Sequence, residues 1–541
     1  MQDIRINTRA LRLTILMMLL FFTRFVFAQD GELDDSFGEG GLVKTNLPVT
    51  DELCADAVVD ADGFITIAGS AIQGGVRKAL IARLNPDATP DVLFNETGCE
   101  VLSDDGEIEE SQVNAIALQS DGKIVAGGYV TFLGDTYGVL YRCNQNGGLD
   151  TTFGNSGIAK FFSSYDQNYA QVKDIAVQED GKIVFCGIEH SENTGFIDQF
   201  VTGRCLPDGT PDSSFGGAGL VYCYFDWISG SAATIQVQTD GKILVGGRTN
   251  SDFALIRYLP NGVPDNTFGE WGEVTTDIGY DDFITDLGIL SDGKIIAVGY
   301  SKLPSSGNCY YKTRTSIACY NVDGSLYDGF SNDGKLEMFF NYCRDEAYSV
   351  LIQPDDKIII GGGTGKQNNS DSYNYYFLRL HKDGTRDYDF NSDGYLESDM
   401  YENNYYDSYA KALLFQPSGK AVLVGYTDHW SISDSFISAI RVTTGVDSVA
   451  LAQMNVYNQS SSDSTFSVWF SANLLYVKNV STESIRLTIC NISGSKLYTF
   501  QAESGMSNYS LRNLPKGMYF VTGEDGKNVI AQKFIVSYAG Y

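Results

Sequence analysis

Two short turn signatures, each present seven times, constrain the fold of this chain more than any other feature. The first is an Asp-Gly-Lys turn between two apolar runs, and the second is a Leu/Pro-Asp-x-x-Phe-Gly turn. Copies of the first are Asp62-Gly63-Phe64, Asp121-Gly122-Lys123, Asp180-Gly181-Lys182, Asp240-Gly241-Lys242, Asp292-Gly293-Lys294, Asp355-Asp356-Lys357 and Ser418-Gly419-Lys420. Copies of the second begin at Leu33, Leu149, Pro211 and Pro264, with degenerate copies at Pro90 to Asn95, Leu326 to Ser331 and Arg386 to Asn391.

One repeat is long enough for a small antiparallel sheet. The segment from Ile235 to Thr276 alternates apolar and polar residues in short runs separated by Gly, Pro, Asn and Asp, which predicts four strands and three turns. Successive copies of the first signature are 52 to 63 residues apart, which is typical of one four-stranded blade. A single sheet of this size cannot bury both of its faces, so each unit needs neighbours.

The phase of the repeats indicates how the array ends. The chain opens on the second signature at Leu33 without a first one, and the last unit, from about Lys411 to Val442, has a first signature without a second. A closed ring explains this offset, because Gly41 to Leu47 would supply the strand that the last unit lacks. We therefore expect an all-β fold: a seven-bladed β-propeller closed by an N-terminal strand.

The repeats also resemble a known family. Units of the form xxALQxDGKIVxxG…RYxxDGxLDxxFGxxG, which extend roughly from Gly31 to Val442, are similar to the delta-60 (LDxxFG) repeats of bacterial secreted and surface proteins. The resemblance implies a propeller-like β fold. It supplies no catalytic residue, because the family has no general catalytic signature.

The N-terminus has the pattern of a secretory signal peptide. Arg5, Arg9 and Arg12 precede an apolar run from Leu13 to Phe22, and Val26-Phe27-Ala28 offers a small-residue cleavage site. The run is shorter than the roughly 20 apolar residues of a membrane-spanning helix. We expect cleavage after residue 28 and no transmembrane segment in the mature chain; an uncleaved anchor is the alternative.

The charge excludes some classes of partner. The net charge is −30, from 38 basic and 68 acidic residues, and removal of residues 1–28, which hold four Arg and one Asp, makes it −33. Nucleic acid is not an expected partner, because binding it requires clustered Lys and Arg that neutralise phosphates. Anionic membrane surfaces are disfavoured for the same reason, so we interpret the charge as a solvated acidic surface.

Ten cysteines in an exported protein suggest disulfides, but the repeat alignment argues against this for several of them. Cys143, Cys186 and Cys205 occupy slots that hold apolar or small residues in other units, which predicts buried thiols. Cys319 takes a slot that is Arg in most units. The cysteines left as candidates for pairing are Cys54, Cys99, Cys223, Cys309, Cys319 and Cys343, whereas Cys490 has no partner nearby in sequence.

Blade geometry separates the connections into two sets. The turns between the first and second and between the third and fourth strands share one side, here named the turn face; the other connections share the loop face. Loops from Ser301 to Tyr311, Gly361 to Tyr376 and Asp399 to Tyr409 belong to the loop face and are rich in Tyr, Asn, Asp and Ser. Such side chains suit a glycan or a protein surface. The candidate ligand-binding residues are Tyr373, Tyr375, Tyr376, Tyr401, Tyr405, Tyr406 and Tyr409; the alternative is that they pack on strands.

Metal binding and catalysis have little support. Asp389, Asn391 and Asp393 form a D-x-N-x-D-G opening like that of a calcium loop, but Met400 stands where the twelfth-position Glu is expected. The segment aligns with Phe153 to Gly157, which favours a repeat turn, with weak calcium binding as the alternative and no other cofactor expected. Three histidines (His190, His381 and His429) lie in different repeats, and no catalytic motif is present.

After Val442 the repeats stop. Residues 443–453 read as a linker after the 29–442 propeller, and 454–541 contain several short strands typical of a small β-sandwich. The segments 489–498, 514–521 and 533–536 resemble the type A C-terminal sorting domain of type IX secretion substrates in Bacteroidetes-type bacteria. Its motif positions here are Gly494, Lys496, Leu514, Gly517, Tyr519 and Lys533. The resemblance implies recognition by the outer-membrane secretion machinery and a secreted or surface location; an accessory β-sandwich is the alternative.

Together these observations predict a secreted or surface-displayed binding or adhesion module for a glycan or a protein. Two alternatives remain: an extracellular carbohydrate-active enzyme, either a glycoside hydrolase or a lyase, and a structural surface component. A convergent acidic pocket at the channel mouth would favour the enzyme. A broad tyrosine surface would favour binding.

Overall fold

The computed structural model of the protein describes most of the chain after the predicted signal peptide, and its elements there are β-strands. The described residues are 30–102, 108–161, 169–190, 198–223, 225, 229–304, 312–340, 343–365, 373–400, 406–429, 435–445, 466–471, 474–479, 484–491, 496–502, 504–510, 517–524 and 529–536.

The strands up to Val442 form repeated four-stranded units, numbered here in chain order. The strand β1 (Leu42–Lys44) comes first. Unit 1 contains β2 (Thr50–Val59), β3 (Ile65–Gln73), β4 (Val76–Leu84) and β5 (Cys99–Val101). Unit 2 contains β6 (Glu110–Leu118), β7 (Ile124–Phe132), β8 (Asp135–Cys143) and β9 (Ile158–Phe161). Unit 3 contains β10 (Tyr169–Val177), β11 (Ile183–His190), β12 (Gln199–Cys205) and β13 (Leu220–Cys223). Unit 4 contains β14 (Gly230–Val237), β15 (Ile243–Thr249), β16 (Asp252–Tyr258) and β17 (Glu273–Thr276).

The remaining units follow the same plan. Unit 5 contains β18 (Asp281–Ile289), β19 (Ile295–Leu303), β20 (Lys312–Tyr320) and β21 (Lys335–Met338). Unit 6 contains β22 (Arg344–Ile352), β23 (Ile358–Gly365), β24 (Tyr373–Leu380) and β25 (Tyr395–Ser398). Unit 7 contains β26 (Tyr406–Phe415), β27 (Ala421–His429) and β28 (Ser435–Val442). Within each unit, strands adjacent in sequence pair antiparallel, and one parallel pairing between Tyr169 and Thr136 joins the sheets of units 2 and 3.

The fourth strand of unit 7 comes from the start of the chain. The strand β1 pairs antiparallel with β28, with Leu42 opposite Ile440 and Lys44 opposite Ser438. This pairing agrees with the sequence prediction that Gly41 to Leu47 supply the strand that the last unit lacks.

A β-bulge interrupts the first strand of every unit, and in three of the seven units the residue that follows it is an aspartate that binds the next unit. The carboxylate of Asp56 accepts the backbone N–H of Ile116 at 2.9 Å. Asp174 accepts the N–H of Ile235 at 2.7 Å, and Asp286 accepts that of Val350 at 2.8 Å. The first strands of neighbouring units are thereby tied edge to edge.

An arginine on the third strand links the two turn signatures. In unit 4, Arg257 Nε donates to Asp265 at 2.8 Å, its Nη1 donates to the Val322 carbonyl of unit 5 at 2.5 Å, and its guanidinium lies 4.5 Å from the centre of the Phe268 ring. The Asp and Phe of the second signature thus hold an arginine that bonds the next unit. The equivalent pairs are Arg83–Asp91, Arg142–Asp150, Arg204–Asp212, Arg379–Asp387 and Arg441–Asp34.

The same contact runs from unit 7 back to unit 1. Arg441 donates to Asp34 at 2.6 Å and to the Pro86 carbonyl of unit 1 at 3.0 Å. Burial alone would raise the pKa of Asp34, but hydrogen bonds from Lys420 and Ser36 and the charge of Arg441 lower it to about 2. The chain start is therefore held by an ion pair that stays charged at neutral pH.

The cores lie between the sheets. One buried cluster combines Ile65 and Leu80 of unit 1 with Val424 and Ile437 of unit 7. Another combines Val298 of unit 5 with Ile360 and Leu378 of unit 6. Since each sheet buries its faces against its neighbours, a unit gains its stability from the array.

The cysteines correct part of the disulfide expectation. Cys143, Cys186 and Cys205 are buried free thiols, as the repeat alignment predicts. Three cysteines expected as candidates for pairing, Cys54, Cys99 and Cys319, are also free and buried, and Cys223 is buried with its Sγ 3.1 Å from Glu273 Oε1. Their side chains fill the core between sheets, which raises the pKa of the Cys319 thiol to about 12. Cys343 is disulfide-bonded, and Cys309 lies outside the described residues.

The C-terminal strands form two further sheets. They are β29 (Phe466–Ser471), β30 (Leu474–Asn479), β31 (Ile485–Asn491), β32 (Lys496–Ala502), β33 (Gly505–Ser510), β34 (Gly517–Glu524) and β35 (Val529–Val536). One sheet has the order β29-β30-β33 and the other β32-β31-β34-β35. Of the expected sorting residues, Lys496 starts β32, Gly517 starts β34, and Tyr519 of β34 is paired with Phe534, next to Lys533. Gly494 and Leu514 lie outside the described residues.

Candidate functional site

The seven tyrosines expected on the loop face fall into three groups. Tyr375 and Tyr376 are completely buried in β24, where their hydroxyls bond Ser438 and Thr315, each at 2.7 Å. Neither ring can contact a ligand in this conformation, which corrects the expectation for both. The third strand of a unit is covered on both faces by neighbouring sheets, so a tyrosine there is a core residue.

The other tyrosines are closer to the surface. Tyr373 is 3% exposed and stacks on the half-buried Tyr409 at 5.5 Å between ring centres. Tyr406 is half-buried at the start of β26 and meets the His429 ring edge-on at 4.7 Å. Tyr401 and Tyr405 lie outside the described residues. The structure thus brings Tyr373 and Tyr409 together, and Tyr373 offers almost no surface.

A recess on the loop face of units 5 and 6 gathers groups that can bind a ligand. It has a volume of about 380 Å³ and is lined by Tyr300, Lys302, Leu303, Lys312, Thr313, Arg344, Glu346 and Tyr348. Alternate residues of a strand share one face, so β22 presents Arg344, Glu346 and Tyr348 together, and β19 presents Tyr300 and Lys302. This set is named here the loop-face recess.

Glu346 is already engaged by its neighbours. The Tyr348 hydroxyl donates to its carboxylate at 2.5 Å, and Arg344 Nη2 lies 3.2 Å from the same oxygen. Burial and the charge of Glu346 raise the pKa of Tyr348 well above its ordinary value. The Tyr348 hydroxyl therefore stays protonated at neutral pH and acts as a hydrogen-bond donor.

Aromatic rings hold the cations of the recess in place. The Arg344 guanidinium lies 4.2 Å from the centre of the Tyr373 ring. Phe283 stacks on Tyr300 at 4.8 Å, and the Lys302 ammonium lies 4.5 Å from the Phe283 ring centre. Such contacts orient a cation while leaving its outer side available. Burial, with a smaller contribution from the charge of Glu346, raises the pKa of Tyr300 to about 12, so this hydroxyl is neutral.

The recess differs in charge from the rest of the molecule. Lys302, Lys312 and Arg344 face a single acid, Glu346, although the chain as a whole has a large excess of acidic residues. Three cations beside two neutral phenols form a site that suits a ligand with anionic groups and flat apolar surface.

Sequence analysis missed these residues because they lie on strands rather than in the tyrosine-rich loops. A signal was present in the repeats. Tyr129, Tyr300 and Tyr426 occupy the same slot near the end of the second strand in units 2, 5 and 7. A tyrosine that recurs at one position of the repeat indicates that this position has the same environment in each unit. Here the position lies beside the first strand and near the loop face.

The calcium-like segment has the contacts of a turn. Asn391 takes the slot of Gly154, and both have a left-handed backbone, with φ of +47° and +53°. The Asn391 amide donates to the Tyr395 carbonyl at 2.7 Å, and Asp393 accepts the Tyr395 N–H at 2.9 Å. These bonds explain the residue types of the motif. Calcium binding by Asp389, Asn391 and Asp393 stays a prediction.

Two known families match segments of the chain, one in the repeats and one near the C-terminus. Residues 61–94, 119–153, 238–268 and 353–390 match a domain of unknown function (DUF5122) β-propeller, and residues 471–537 match a secretion system C-terminal sorting domain. The chain therefore contains DUF5122-type β-propeller repeats and a C-terminal secretion sorting domain. This propeller protein is therefore exported by the type IX secretion system to the cell surface or beyond it.

Several solved structures are similar to the propeller protein in fold. A streptogramin B lyase has 13% identity and a TM-score of 0.41, with 74% of this chain and 97% of the lyase covered. The polysaccharide lyase Uly1 has 11% identity and a TM-score of 0.42, with 78% and 94% covered. A Dyadobacter fermentans protein of unknown function has 10% identity and a TM-score of 0.38, with 75% and 99% covered.

No curated protein sequence matches the propeller protein. Within the part of the chain that the structure describes, no helix has the length and apolar character needed to cross a membrane.

Proposed function

We propose that units 1 to 7 form a closed seven-bladed β-propeller and that β29 to β35 form a β-sandwich. The pairing of β1 with β28 supports the closure, since it joins the start of the chain to the last unit in one sheet. The bond from Arg441 to the Pro86 carbonyl and the core cluster shared by units 1 and 7 support it as well.

We infer that this secreted propeller is a binding module, and that its ligand is an extracellular glycan bearing carboxylate or sulfate groups. The observation that carries the inference is the loop-face recess, in which Lys302, Lys312 and Arg344 surround a single acid in a strongly acidic protein. An anionic group on the ligand would be neutralised there and would be repelled by most of the remaining surface.

The residues of the recess fit distinct parts of such a ligand. The planar guanidinium of Arg344 can donate two parallel hydrogen bonds to a carboxylate or a sulfate, while the lysines act as point charges. The rings of Tyr300 and Tyr348 offer flat apolar surface to a sugar ring. Specificity would come from the arginine and affinity from the combined set.

The exit of the chain supports an outward orientation of this recess. After β28, the Thr444 carbonyl accepts a hydrogen bond from Arg379 Nη1 at 2.7 Å, and the Thr444 hydroxyl donates to Gly419 of the Ser418-Gly419-Lys420 turn. The chain therefore leaves unit 7 on the turn face. A sorting domain, or an anchor that replaces it, would hold the turn face towards the cell and leave the loop face accessible.

We propose binding rather than catalysis for the recess. Bond cleavage in a polysaccharide needs a group that can take up or supply a proton near neutral pH. The pKa values of Tyr300 and Tyr348 are raised, and Glu346 is held by Arg344 and Tyr348. This set provides donors and cations for recognition and no group poised to act as a base.

The test is an array of neutral, uronate-containing and sulfated glycans, probed with the mature chain. Loss of a charged hydrogen bond weakens binding by roughly 10- to 100-fold, which is the effect expected for Arg344→Ala on an anionic glycan. Lys382→Ala, which removes an exposed cation on the turn face of unit 6, is the matched control and should bind normally.

Three other outcomes would change the account. Binding of neutral glycans with equal strength would contradict the charge argument. Absence of binding to any glycan would favour a protein ligand or a structural role. Shortened oligosaccharides after incubation with the unmodified chain would establish the enzyme alternative.

A further inference from the structure

A group of three carboxylates on the loop face joins units 4 and 5. Asp252 begins β16, Asp277 follows β17, and Asp282 is the second residue of β18. One carboxylate oxygen of each lies within 4.8 Å of the other two. Three acids at this separation repel one another in water, so their arrangement needs a physical reason.

Asp282 is the buried member, and one of its oxygens has no protein partner. The side chain is completely buried. Its Oδ2 accepts the N–H groups of Ile278 at 2.7 Å and Gly279 at 3.2 Å. Its Oδ1 is also buried and has no hydrogen-bond partner among the described residues. An ionised oxygen in that condition is costly, because burial removes its hydration without replacing it.

Unit 6 contains the same aspartate with both oxygens satisfied. Asp345 occupies the slot of Asp282, with Thr364 opposite it in the sheet where Asp282 has Ser301. Asp345 Oδ2 accepts the Phe340 N–H at 2.9 Å, and its Oδ1 accepts the Thr364 hydroxyl at 2.6 Å. In unit 6 the buried aspartate therefore has a structural role, and each of its two oxygens accepts a hydrogen bond.

In unit 5 the hydroxyl that would complete this role is directed elsewhere. The Ser301 hydroxyl is bonded to that of Ser316 at 2.5 Å. Asp252 and Asp277 approach Asp282 instead. Unit 5 thus replaces a hydroxyl donor with two further anions. A cation satisfies all three groups at once, whereas a hydrogen-bond donor satisfies one.

We propose that Asp252, Asp277 and Asp282 form a Ca²⁺ site that fastens the connection before β18 to the β15–β16 turn. Ca²⁺ prefers carboxylate and carbonyl oxygens and tolerates irregular geometry, with water completing a shell of six to eight ligands. The two segments are already in contact, since the Asp282 N–H donates to the Ser251 carbonyl at 2.7 Å. Bound Ca²⁺ would hold Tyr280, which is 56% exposed, in a fixed position on the loop face.

The affinity should be that of an extracellular site. Asp277 is exposed and Asp252 half-buried, so only part of the coordination shell is preorganised by the protein. Sites of this kind in extracellular modules have Kd values of about 10⁻⁴–10⁻³ M. The proposal does not depend on the glycan-binding proposal, because the three carboxylates lie outside the residues that line the loop-face recess.

The test uses the mature chain after treatment with EDTA. Calorimetric titration with CaCl₂ should give one binding event in this range, and bound Ca²⁺ should raise Tm. Tb³⁺ should show tyrosine-sensitised luminescence, because Tyr280 is three residues from Asp277. Asp277→Asn, which changes an exposed side chain and preserves the fold, should weaken binding at least tenfold.

Two further variants make the result decisive. Asp345→Asn changes the equivalent buried aspartate of unit 6 and should lower Tm without changing the Ca²⁺ titration. Asp393→Asn changes the calcium-like turn of unit 6 and should also leave it unchanged. Absence of heat and of luminescence at concentrations well above the expected Kd would overturn the proposal. Binding that survives in Asp277→Asn, or that is lost in Asp393→Asn, would overturn it as well.

Discussion

At the level of single residues, the ion pairs around the arginine on the third strand link the two turn signatures. Arg257 is 2% exposed, yet it is charged, because Asp265, the Val322 carbonyl and the Phe268 ring surround it. Lys242 of the Asp-Gly-Lys turn lies 3.4 Å from the same Asp265 carboxylate. Asp265 of the second signature therefore binds both the third-strand arginine and the lysine of the first signature, and loss of the arginine would leave its buried charge without its main partner.

Unit 5 shows how this arrangement can be replaced. Cys319 stands in the arginine slot and Tyr327 in the aspartate slot, so both charges are absent together. The Lys294 ammonium lies 4.6 Å from the centre of the Tyr327 ring, which replaces the ion pair that Lys242 makes with Asp265 in unit 4. The paired change suggests a direct test in unit 4.

We expect Arg257→Cys to destabilise the protein by about 3–5 kcal/mol, since it leaves Asp265 buried without its main partner. The double variant Arg257→Cys/Asp265→Tyr should recover a large part of this loss, because it reproduces unit 5. Thermal denaturation measures both. A double variant that melts no higher than the single one would show that the two positions are not coupled.

Two buried aspartates make stability depend on pH near neutrality. Burial raises the pKa of Asp174 to about 7 and that of Asp286 to about 6, whereas an unfolded Asp titrates near 3.9. Between these values the folded state binds more protons than the unfolded state, so stability should fall as pH rises from about 4 to 7. Asp286→Asn should flatten the profile of Tm against pH, and the exposed Asp62→Asn should leave it unchanged. An equally steep profile for Asp286→Asn would contradict the assignment.

Acid should destabilise the protein in a separate step with the opposite sign. The pKa values of Asp34, Asp212 and Asp265 are lowered to about 2 by hydrogen bonds and neighbouring cations, in spite of their burial. Their stabilising contribution is present above pH 4 and is lost as pH falls towards 2. Tm should therefore be highest at about pH 4, where the two windows meet.

At the level of secondary-structure elements, β1 has a larger effect than its three residues suggest. It completes the sheet of unit 7, and the preceding turn brings Asp34 to Arg441, which also contacts unit 1. The order of the turn signatures was enough to predict this strand from sequence. The last unit lacks a strand and the start of the chain has an additional one, so the simplest arrangement pairs the two.

Removal of residues 30–47 should lower stability by about 3–5 kcal/mol, since it leaves Arg441 without its carboxylate and unit 7 without its fourth strand. A chain that begins at Asp30 is the control. Thermal denaturation and limited proteolysis measure the difference. Equal Tm values for the two chains would contradict the role given to β1.

The element that sequence analysis misread is β24. Its tyrosines were expected in a loop, because they follow a polar segment rich in Asn, Asp and Ser and do not alternate with polar residues. The neighbouring strand β23 provides the space for these side chains, since Gly361, Gly362 and Gly363 pair with the aromatic residues of β24. A Cβ on Gly362 would lie 2.4 Å from the Tyr376 ring, so the glycines make room for the tyrosines. To predict that small residues on one strand make room for large residues on its partner, the pairing register must be known, and a single sequence does not give it.

The loop-face recess was unpredictable for a related reason. Arg344, Glu346 and Tyr348 share a strand, and their spacing shows that they share a face. Their meeting with Lys302 and Tyr300 depends on the placement of unit 5 beside unit 6. The repeat pattern predicts that two units are neighbours without giving the distance between side chains of different units.

At the level of the whole molecule, the two ends of the protein have different tasks. The sorting domain directs export, and the propeller is the part of the chain that is exported. An acidic body with a cationic recess of this kind can approach an anionic glycan productively in few orientations. The proposed Ca²⁺ site belongs to the same loop face, where it would order a connection beside unit 5.

The central claim is that the loop-face recess is the ligand site. Its most direct test is a crystal structure of the mature chain with the anionic oligosaccharide that binds best on the array. The account predicts sugar density beside Tyr300 and Tyr348, with a carboxylate or sulfate oxygen at about 3 Å from the Arg344 guanidinium. Density on the turn face or along the outer strands, with the recess unchanged, would contradict it.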